Sequence, residues 1–170
     1  IDFGLRAGSY PRYLGHSDRK LIFSFISKLP ENWIIDASDD ESQRFNRKDW
    51  ALFLNNCKFT VACEGGSDFL ERDDKSRLMI NNFVAKNPDA TDQEIYNNFY
   101  LNYTGEGLKA RTITGRVFDA IGAFTCQVLV EGKYNGILEP DKHYIEIKKD
   151  LSNITEVLEK TKDEKFVEEM

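Results

Sequence analysis

The sequence lacks the features that mark membrane, secreted and nucleic-acid-binding proteins. No apolar run approaches the roughly 20 residues that a membrane-spanning helix needs, and the basic, apolar and small-residue order of a secretory leader is missing. The 170 residues include 29 acidic and 23 basic side chains, which gives a net charge of -6. Binding to nucleic acid over a broad surface needs a surplus of positive charge. We therefore expect no membrane span and no nucleic-acid partner, and any phosphate recognition must be local.

Cysteine and histidine are scarce as well. The three cysteines, Cys57, Cys63 and Cys126, form no C-x-x-C pair and lie in apolar segments, so we expect reduced core thiols in a cytoplasmic protein. The two histidines, His16 and His143, are too isolated from the cysteines to indicate a zinc site. The motifs GxxxxGK[ST], HExxH, GxSxG and DxD are absent. The sequence thus predicts no metal site.

Enough apolar sequence is present for one folded core, since 41% of the residues are hydrophobic and 12% are aromatic. Short apolar runs at 33–36, 58–63, 125–130 and 143–147 predict strands, and they alternate with segments of helical periodicity. One predicted helix is capped by Ser17, and another spans 46–55. Nearly continuous apolar strands between helices indicate a parallel sheet covered on both sides. We predict an α/β fold, a three-layer αβα Rossmann-like domain with a mostly parallel sheet.

A charged segment at about 68–109 interrupts this alternation and predicts a helical insert within a single domain of residues 1–170. Its first helical pattern has the apolar stripe Leu78, Met79, Phe83 and Val84. The second opens with a capping box from Thr91 to Glu94 and turns Ile95, Phe99 and Leu101 inward. Because the chain begins with Ile1 rather than methionine, we expect a fragment of a longer polypeptide.

Ligands of open parallel sheets bind beyond the carboxyl ends of the strands, so the segments that follow strands are the candidates. Glu64-Gly65-Gly66-Ser67 directly follows the predicted strand FTVAC. Paired glycines let backbone N–H groups approach an anion closely, and Ser67 adds a donor. The same residues suit a turn that merely needs flexible positions. Both roles for this predicted loop stay open.

A second candidate is the helix start within TITGRVFDAIGAFTCQVLVEG, residues 112–132. A helix that begins near Thr114 presents unpaired N–H groups with partial positive charge, which suit a phosphate. Arg116 in the first turn adds a fork of donors that can hold a diphosphate, and Asp119 can accept hydrogen bonds from ribose or sugar hydroxyls. The alternative is that Arg116 and Asp119 pair with each other along the helix surface.

These two segments resemble the carboxyl-terminal half of GT-B glycosyltransferases, most of all bacterial exostosin-like and family 1-like members. Arg116, Asp119 and Ala120 match the R-x-x-[DE]-A core of that family, and FLNNCKFTVACEGGS is similar to its strand and glycine loop at the donor pocket. EGKYNGILEPDKHYIEI also resembles a stretch of the family. The resemblance covers most of residues 48–67 and 110–162.

The resemblance implies a domain that binds a nucleoside-diphosphate sugar as substrate, with no cofactor, for glycosyl transfer. It implies a separate amino-terminal domain that binds the acceptor, a glycan or a lipid-linked sugar. Arg116 would contact the donor diphosphate, and Asp119 the donor hydroxyls. The remaining pocket residues would be Glu64, Gly65, Gly66, Ser67, Arg111, Thr114, Gly115 and, at the rim, Tyr134. The missing DxD motif agrees with metal-independent transfer.

Arg111 stands where many retaining members carry the first of two glutamates. A basic side chain at this position predicts phosphate binding and leaves a retaining or an inverting outcome open. Two other functions are alternatives to this one. A non-catalytic Rossmann-like interaction module predicts no nucleotide binding and an apolar patch on the Leu78 or Ile95 helix. A dinucleotide-binding oxidoreductase is disfavoured, because the GxGxxA match at 105–110 follows a predicted helix end rather than a strand.

Overall fold

The computed structural model describes residues 1–8, 10–15, 18–103 and 108–170. Five strands form the main sheet in the order β2-β1-β3-β6-β7, and each strand is parallel to its neighbours. They are β1 (Phe3–Arg6), β2 (Ile35–Ser38), β3 (Phe59–Ala62), β6 (Cys126–Val130) and β7 (Ile145–Ile147). Two more strands, β4 (Gly65–Leu70) and β5 (Leu108–Thr112), form a separate two-stranded sheet. The strand order changes direction between β1 and β3, because the chain passes from β1 to β2 on one side and later returns to β3 on the other side.

The described residues also form seven α-helices, besides short 3-10 and π-helical turns: α1 (Asp18–Ile26), α2 (Arg47–Asn55), α3 (Lys75–Lys86), α4 (Asp92–Ile95), α5 (Gly115–Gly122), α6 (Ile154–Lys162) and α7 (Glu164–Glu169). The predicted capping box between Thr91 and Glu94 starts α4 and is confirmed. The Asn46 side chain caps α2 by accepting hydrogen bonds from two backbone N–H groups. The predicted cap of α1, Ser17, lies outside the described residues. None of the described helices is long and apolar enough to cross a bilayer.

Helices cover both faces of the main sheet, because successive strand residues point to opposite sides. On one face, a core that includes Phe3, Val61 and Ile145 packs against α1, α6 and α7. On the other face, Ala62 and Leu129 pack against Val117 of α5. The predicted three-layer αβα Rossmann-like fold with a mostly parallel sheet is therefore confirmed.

Close approach of α2 to the same face depends on Gly4 in β1. A Cβ atom on Gly4 would lie 2.9 Å from the Phe53 ring and 2.2 Å from the Cys57 sulfur. Glycine is required here for packing rather than for backbone freedom. The glycine also interrupts the apolar pattern of β1, and the sequence did not predict this strand.

The chain forms two compact units. The first comprises Ile1–Ser9, Asp18–Gly65 and Thr112–Met170, and it contains the main sheet. The second comprises Tyr10–Ser17 and Gly66–Arg111. It has its own small core, in which the rings of Phe69 and Tyr100 stack with centroids 3.7 Å apart.

Three apolar residues of the second unit were predicted to face inward, and the structure shows that they do not. Ile80 is fully buried and sets the inner face of α3, so Leu78 and Met79 point outward with 56% and 58% of their surface exposed. Leu101 is also exposed. It follows a π-helical turn at Tyr96–Tyr100, whose extra residue rotates the positions beyond it around the helix axis.

Candidate functional site

The candidate site is centred on the amino-terminal end of α5, in the first unit. Thr114 precedes the helix in an extended conformation, with φ -86° and ψ 157°, and its side chain makes no capping hydrogen bond. Its hydroxyl oxygen is buried and has no hydrogen-bond partner. Gly115 is exposed, and a Cβ atom there would meet no heavy atom within 4 Å. The first N–H groups of α5 are thus not capped by Thr114, and Gly115 leaves open space beside them.

Arg116 occupies the first turn of α5 and is held by two neighbours. Its guanidinium donates a hydrogen bond to the backbone carbonyl oxygen of Arg6, the last residue of β1. The guanidinium carbon also lies 5.4 Å from the ring centroid of Trp50, within the range of a cation–π contact. These contacts place Arg116 at the carboxyl edge of the main sheet, beside the strand where the strand order reverses.

Two further arginines bring positive charge close to Arg116. Burial lowers the pKa of Arg116, and the charges of Arg19 and Arg44 lower it further, whereas Asp119 acts in the opposite direction. Arg19 donates to the Gly8 carbonyl oxygen at 3.1 Å, and a Cβ atom on Gly8 would lie 3.3 Å from Arg44 Nη1. A chain with net charge -6 therefore gathers three guanidinium groups near the residues that follow β1.

Asp119 turns toward Trp50 rather than toward Arg116. Its Oδ2 atom accepts a hydrogen bond from Trp50 Nε1 at 3.0 Å. The face of the same indole carries the Arg116 guanidinium. The two predicted site residues of α5 are therefore linked through Trp50, and the alternative of a direct pair along the helix surface is not what the structure contains.

Glu64 and Tyr134 hold the turn that follows β6. Glu64 is only 6% exposed and accepts backbone hydrogen bonds from Tyr134 at 2.8 Å and Lys133 at 3.2 Å. The Tyr134 hydroxyl donates to the Val130 carbonyl oxygen at 2.6 Å, and burial raises the pKa of this phenol. The prediction that Tyr134 lies at a pocket rim is wrong, because the ring is fully buried against Tyr144 in the core.

The prediction of a glycine loop at 64–67 is wrong, because Gly65, Gly66 and Ser67 begin β4 and only Glu64 of this segment lies before the strand. Gly65 belongs to the first unit, where a Cβ atom would lie 2.7 Å from Thr114 Cγ2. Gly66 belongs to the second unit and adopts φ +114°, and a Cβ atom there would lie 2.1 Å from the Ala110 carbonyl oxygen. Both glycines are explained by close approach of neighbouring chain segments, and Gly66 also by its backbone conformation.

Ser67 and Arg111 are also part of the second unit. Ser67 is 3% exposed, and its hydroxyl oxygen has no hydrogen-bond partner. Arg111 donates to the Ser67 carbonyl oxygen at 2.9 Å and to Asp68 Oδ1 at 2.6 Å. Burial by itself raises the pKa of Asp68, but Arg111 and Lys109 outweigh it, so the pKa is lowered. Arg111 thus has a carboxylate partner, and its role in phosphate binding stays a prediction.

Sequence reasoning missed Arg19, Arg44 and the role of Trp50. No local motif marks any of the three. The Trp50–Asp119 bond joins residues 69 positions apart, and the Arg116–Arg6 bond joins residues 110 positions apart. Only the packing of α2 and α5 on the same sheet face brings these side chains together.

Other predicted or possible sites lie elsewhere. His16 and the residues Gly105, Glu106 and Gly107 of the GxGxxA match fall outside the described residues. Within the described ranges, no group of three or more histidine, cysteine, aspartate or glutamate side chains could hold a metal ion. A hollow of about 1120 Å³ lies at the opposite, amino-terminal edge of the main sheet, where Trp33, Phe124 and Gln127 contribute to its lining. None of the predicted site residues lines this hollow.

Comparison of the sequence with models of known protein families gave no match, and comparison with curated proteins gave no match either. We therefore infer the function of the chain from the geometry around α5.

Proposed function

We propose that the chain is the donor-binding domain of a GT-B-type glycosyltransferase that binds a nucleoside-diphosphate sugar. The observation that carries this proposal is the position of Arg116, in the first turn of α5 and at the carboxyl edge of the sheet, with Arg19 and Arg44 nearby. The positive charges of these arginines repel one another, although the protein as a whole is acidic. A ligand with several negative charges would relieve that repulsion. A diphosphate is such a ligand, and the N-terminus of a helix is a suitable place for it.

The chemistry follows from where charge develops. Cleavage of the bond between the anomeric carbon and the nucleoside diphosphate leaves negative charge on the departing phosphate oxygen. The first N–H groups of α5 and the Arg116 guanidinium can donate hydrogen bonds to it, and donors already in place need little reorganisation. Loss of one such donor typically costs about 2.7 to 4 kcal/mol of transition-state stabilisation. Guanidinium groups supply the positive charge that a divalent ion provides in other transferases, so the proposed transfer is metal-independent.

The acceptor is part of the same proposal. A glycan or lipid-linked sugar would bind to a separate amino-terminal domain, and the transferase would be complete only with that domain. We place the enzyme in the cytoplasm, since Cys57, Cys63 and Cys126 are free thiols, which suit a reducing compartment.

Titration calorimetry with UDP-, GDP-, dTDP- and CMP-linked sugars tests the proposal. We expect binding of at least one diphosphate-linked sugar, and weaker binding of the CMP-linked sugar, which has one phosphate fewer. Arg116→Ala should weaken binding at least tenfold, equivalent to about 1.4 kcal/mol. Lys28→Ala, which removes an exposed positive charge beyond the far end of α1, should leave the affinity unchanged. A parent protein that bound none of the sugars would refute the proposal, and an unaffected Arg116→Ala variant would refute the assigned diphosphate site.

Arg44 offers a test that separates charge from stability. Its ion pair with Glu41 is 2.6 Å long, but both side chains are about half exposed, and such pairs contribute little to stability. Arg44→Ala should keep the melting temperature of the parent while its affinity for a diphosphate-linked sugar falls. The affinity difference should shrink as salt is added, because the contribution is electrostatic. An affinity equal to that of the parent at low salt would remove Arg44 from the site.

A second candidate function is a non-catalytic interaction module, and the exposure of Leu78 and Met79 on α3 favours it. Neighbouring exposed apolar side chains are typical of surfaces that contact another protein. This candidate predicts no binding of any nucleotide sugar, so the same calorimetry separates the two.

A further inference from the structure

We propose that Trp50 is a positioning residue that keeps Arg116 and Asp119 apart and leaves the Arg116 guanidinium available to the diphosphate. This inference rests on the proposed donor site. It assigns a role to a residue of α2 that contacts no ligand in the proposal and acts through two side chains of α5.

The first support is the direct geometry. One indole makes both contacts, since its N–H group donates to Asp119 Oδ2 at 3.0 Å and its ring lies 5.4 Å from the guanidinium carbon of Arg116. The electron-rich face of a tryptophan ring attracts a guanidinium, and the polar ring edge is the natural partner of a carboxylate. The face of the indole therefore attracts the positively charged side chain, and its N–H edge binds the negatively charged one.

The second support is that the indole is itself held in place. Trp50 stacks on Phe53, with ring centroids 5.7 Å apart, and Phe53 is buried. The backbone N–H of Trp50 donates to the carbonyl oxygen of Asn46, whose side chain caps α2. A rigid platform of this kind reduces the rotamer freedom that a long arginine side chain would lose when a ligand binds.

The third support is the arrangement that Trp50 prevents. Arg116 and Asp119 lie three residues apart on α5, a spacing at which opposite charges pair readily along a helix. Such a pair would occupy the guanidinium donors and neutralise the charge that the diphosphate needs. With Trp50 present, Asp119 accepts from the indole, and the guanidinium donates to the Arg6 carbonyl oxygen. Removing the indole is expected to let the two side chains pair directly.

The experiment measures binding of UDP and GDP, so that any contact of Asp119 with the hydroxyls of the transferred sugar does not contribute. Trp50→Ala should bind UDP or GDP, whichever the parent protein binds, about tenfold more weakly than the parent does. Adding Asp119→Asn to Trp50→Ala should restore most of this affinity, because the competing carboxylate is gone. The single change Asp119→Asn in the parent background measures any direct contribution of Asp119 to binding, and the double-mutant cycle removes that contribution from the comparison. A purely structural role of Trp50 would not produce this restoration.

Trp50→Phe is the conservative variant, which keeps an aromatic face and lacks the N–H donor, and its affinity should fall between those of the parent and Trp50→Ala. Trp33→Phe is the control, because Trp33 is the second of the two tryptophans and packs on Phe3 near the opposite edge of the sheet. Its affinity should match that of the parent. Its fluorescence, which then reports on Trp50 alone, should change when the nucleotide binds, whereas that of Trp50→Phe should not.

The outcomes are distinct. If the parent bound neither nucleotide, the proposed function and the role of Trp50 would both be overturned. If the parent bound and Trp50→Ala bound equally well, or Asp119→Asn restored nothing, only the role of Trp50 would be overturned. If Trp50→Ala did not fold, an unchanged affinity of Trp50→Phe together with an unchanged Trp50 fluorescence would overturn it.

Discussion

Arg116 is tied to Arg6 through a hydrogen bond from its guanidinium to the Arg6 carbonyl oxygen. The Arg6 side chain serves another purpose, since it pairs with Asp36 at 2.7 Å and lies against the rings of Phe45 and Phe53. Arg6 therefore has a carboxylate partner and helps to hold α2 on the sheet. Arg116 is bound to a neutral carbonyl group, and its charge is available at the carboxyl edge of β1.

Gly115→Ala should separate helix stability from ligand binding. A Cβ atom at this position meets no heavy atom within 4 Å, so alanine should stabilise the protein by about 0.5 kcal/mol through its higher helix propensity. The added methyl group should nonetheless weaken binding of a nucleoside-diphosphate sugar, because it stands beside the N–H groups at the start of α5. Thermal melting and calorimetry measure the two effects.

Gly122→Ala is the matched control at the other end of α5, where a Cβ atom also meets nothing within 4 Å. It should not change the affinity. If Gly115→Ala bound the donor as well as Gly122→Ala does, the diphosphate would not approach the helix start.

Glu64→Ala should destabilise the protein by about 1 to 3 kcal/mol, the typical cost of leaving buried hydrogen-bonding groups unsatisfied. The substitution removes the acceptor for the backbone N–H groups of Lys133 and Tyr134. Glu64→Gln keeps one acceptor oxygen and should lose less. Urea denaturation measures both, with Glu159→Ala on the exposed side of α6 as the control. A Glu64→Ala variant as stable as the control would contradict the structural role of Glu64.

Arg111→Ala should lower the free energy of unfolding by about 2 kcal/mol, the value typical of a hydrogen bond to a charged group. Its pair with Asp68 is 2.6 Å long, and the two side chains are only 15% and 13% exposed. Adding Asp68→Ala should cost less than the sum of the single changes, because the partners act together. A variant that kept its stability and lost affinity for the diphosphate would favour the phosphate-binding role instead.

The same pair has a defined pH dependence. The pKa of Asp68 is lowered in the folded protein. Its contribution to stability is therefore present above the unfolded pKa of about 3.9 and is lost as the pH falls through the folded pKa. The stability difference between the parent and Arg111→Ala should therefore shrink in acid. A constant difference down to pH 2 would show that Asp68 is not the partner that matters.

Cys57 and Cys126 predict a loss of stability in alkaline solution. Burial raises the pKa of each thiol to about 11. The folded protein keeps these protons when the unfolded chain has lost them, so the contribution is full below pH 9 and disappears as the pH approaches 11. Melting temperatures at pH 8, 9.5 and 11 measure the decline. The variant with alanine at both positions should decline less steeply, and an unchanged decline would rule the thiols out as its cause.

Much of the fold could be predicted because its signals are local. Apolar runs marked β3, β6 and β7 within one or two residues, and the capping groups Asn46 and Thr91 stand directly before their helices. A cap or a periodic face involves residues a few positions apart, so it is visible in a short window. The strands β1, β4 and β5 could not be predicted in this way. β1 and β4 contain glycines whose need is set by neighbouring segments, and β5 is short and carries two basic residues.

The sequence by itself determined the alternation of strands and helices, the parallel sheet and the position of Arg116 in the first turn of α5. Only the tertiary structure decided that Trp50 contacts both Arg116 and Asp119, that Tyr134 is buried and that Glu64 holds a turn. The physical reason is distance along the chain. Side chains 69 to 110 positions apart meet only after the sheet order has placed their helices and strands side by side, and no pattern within a single segment encodes that order.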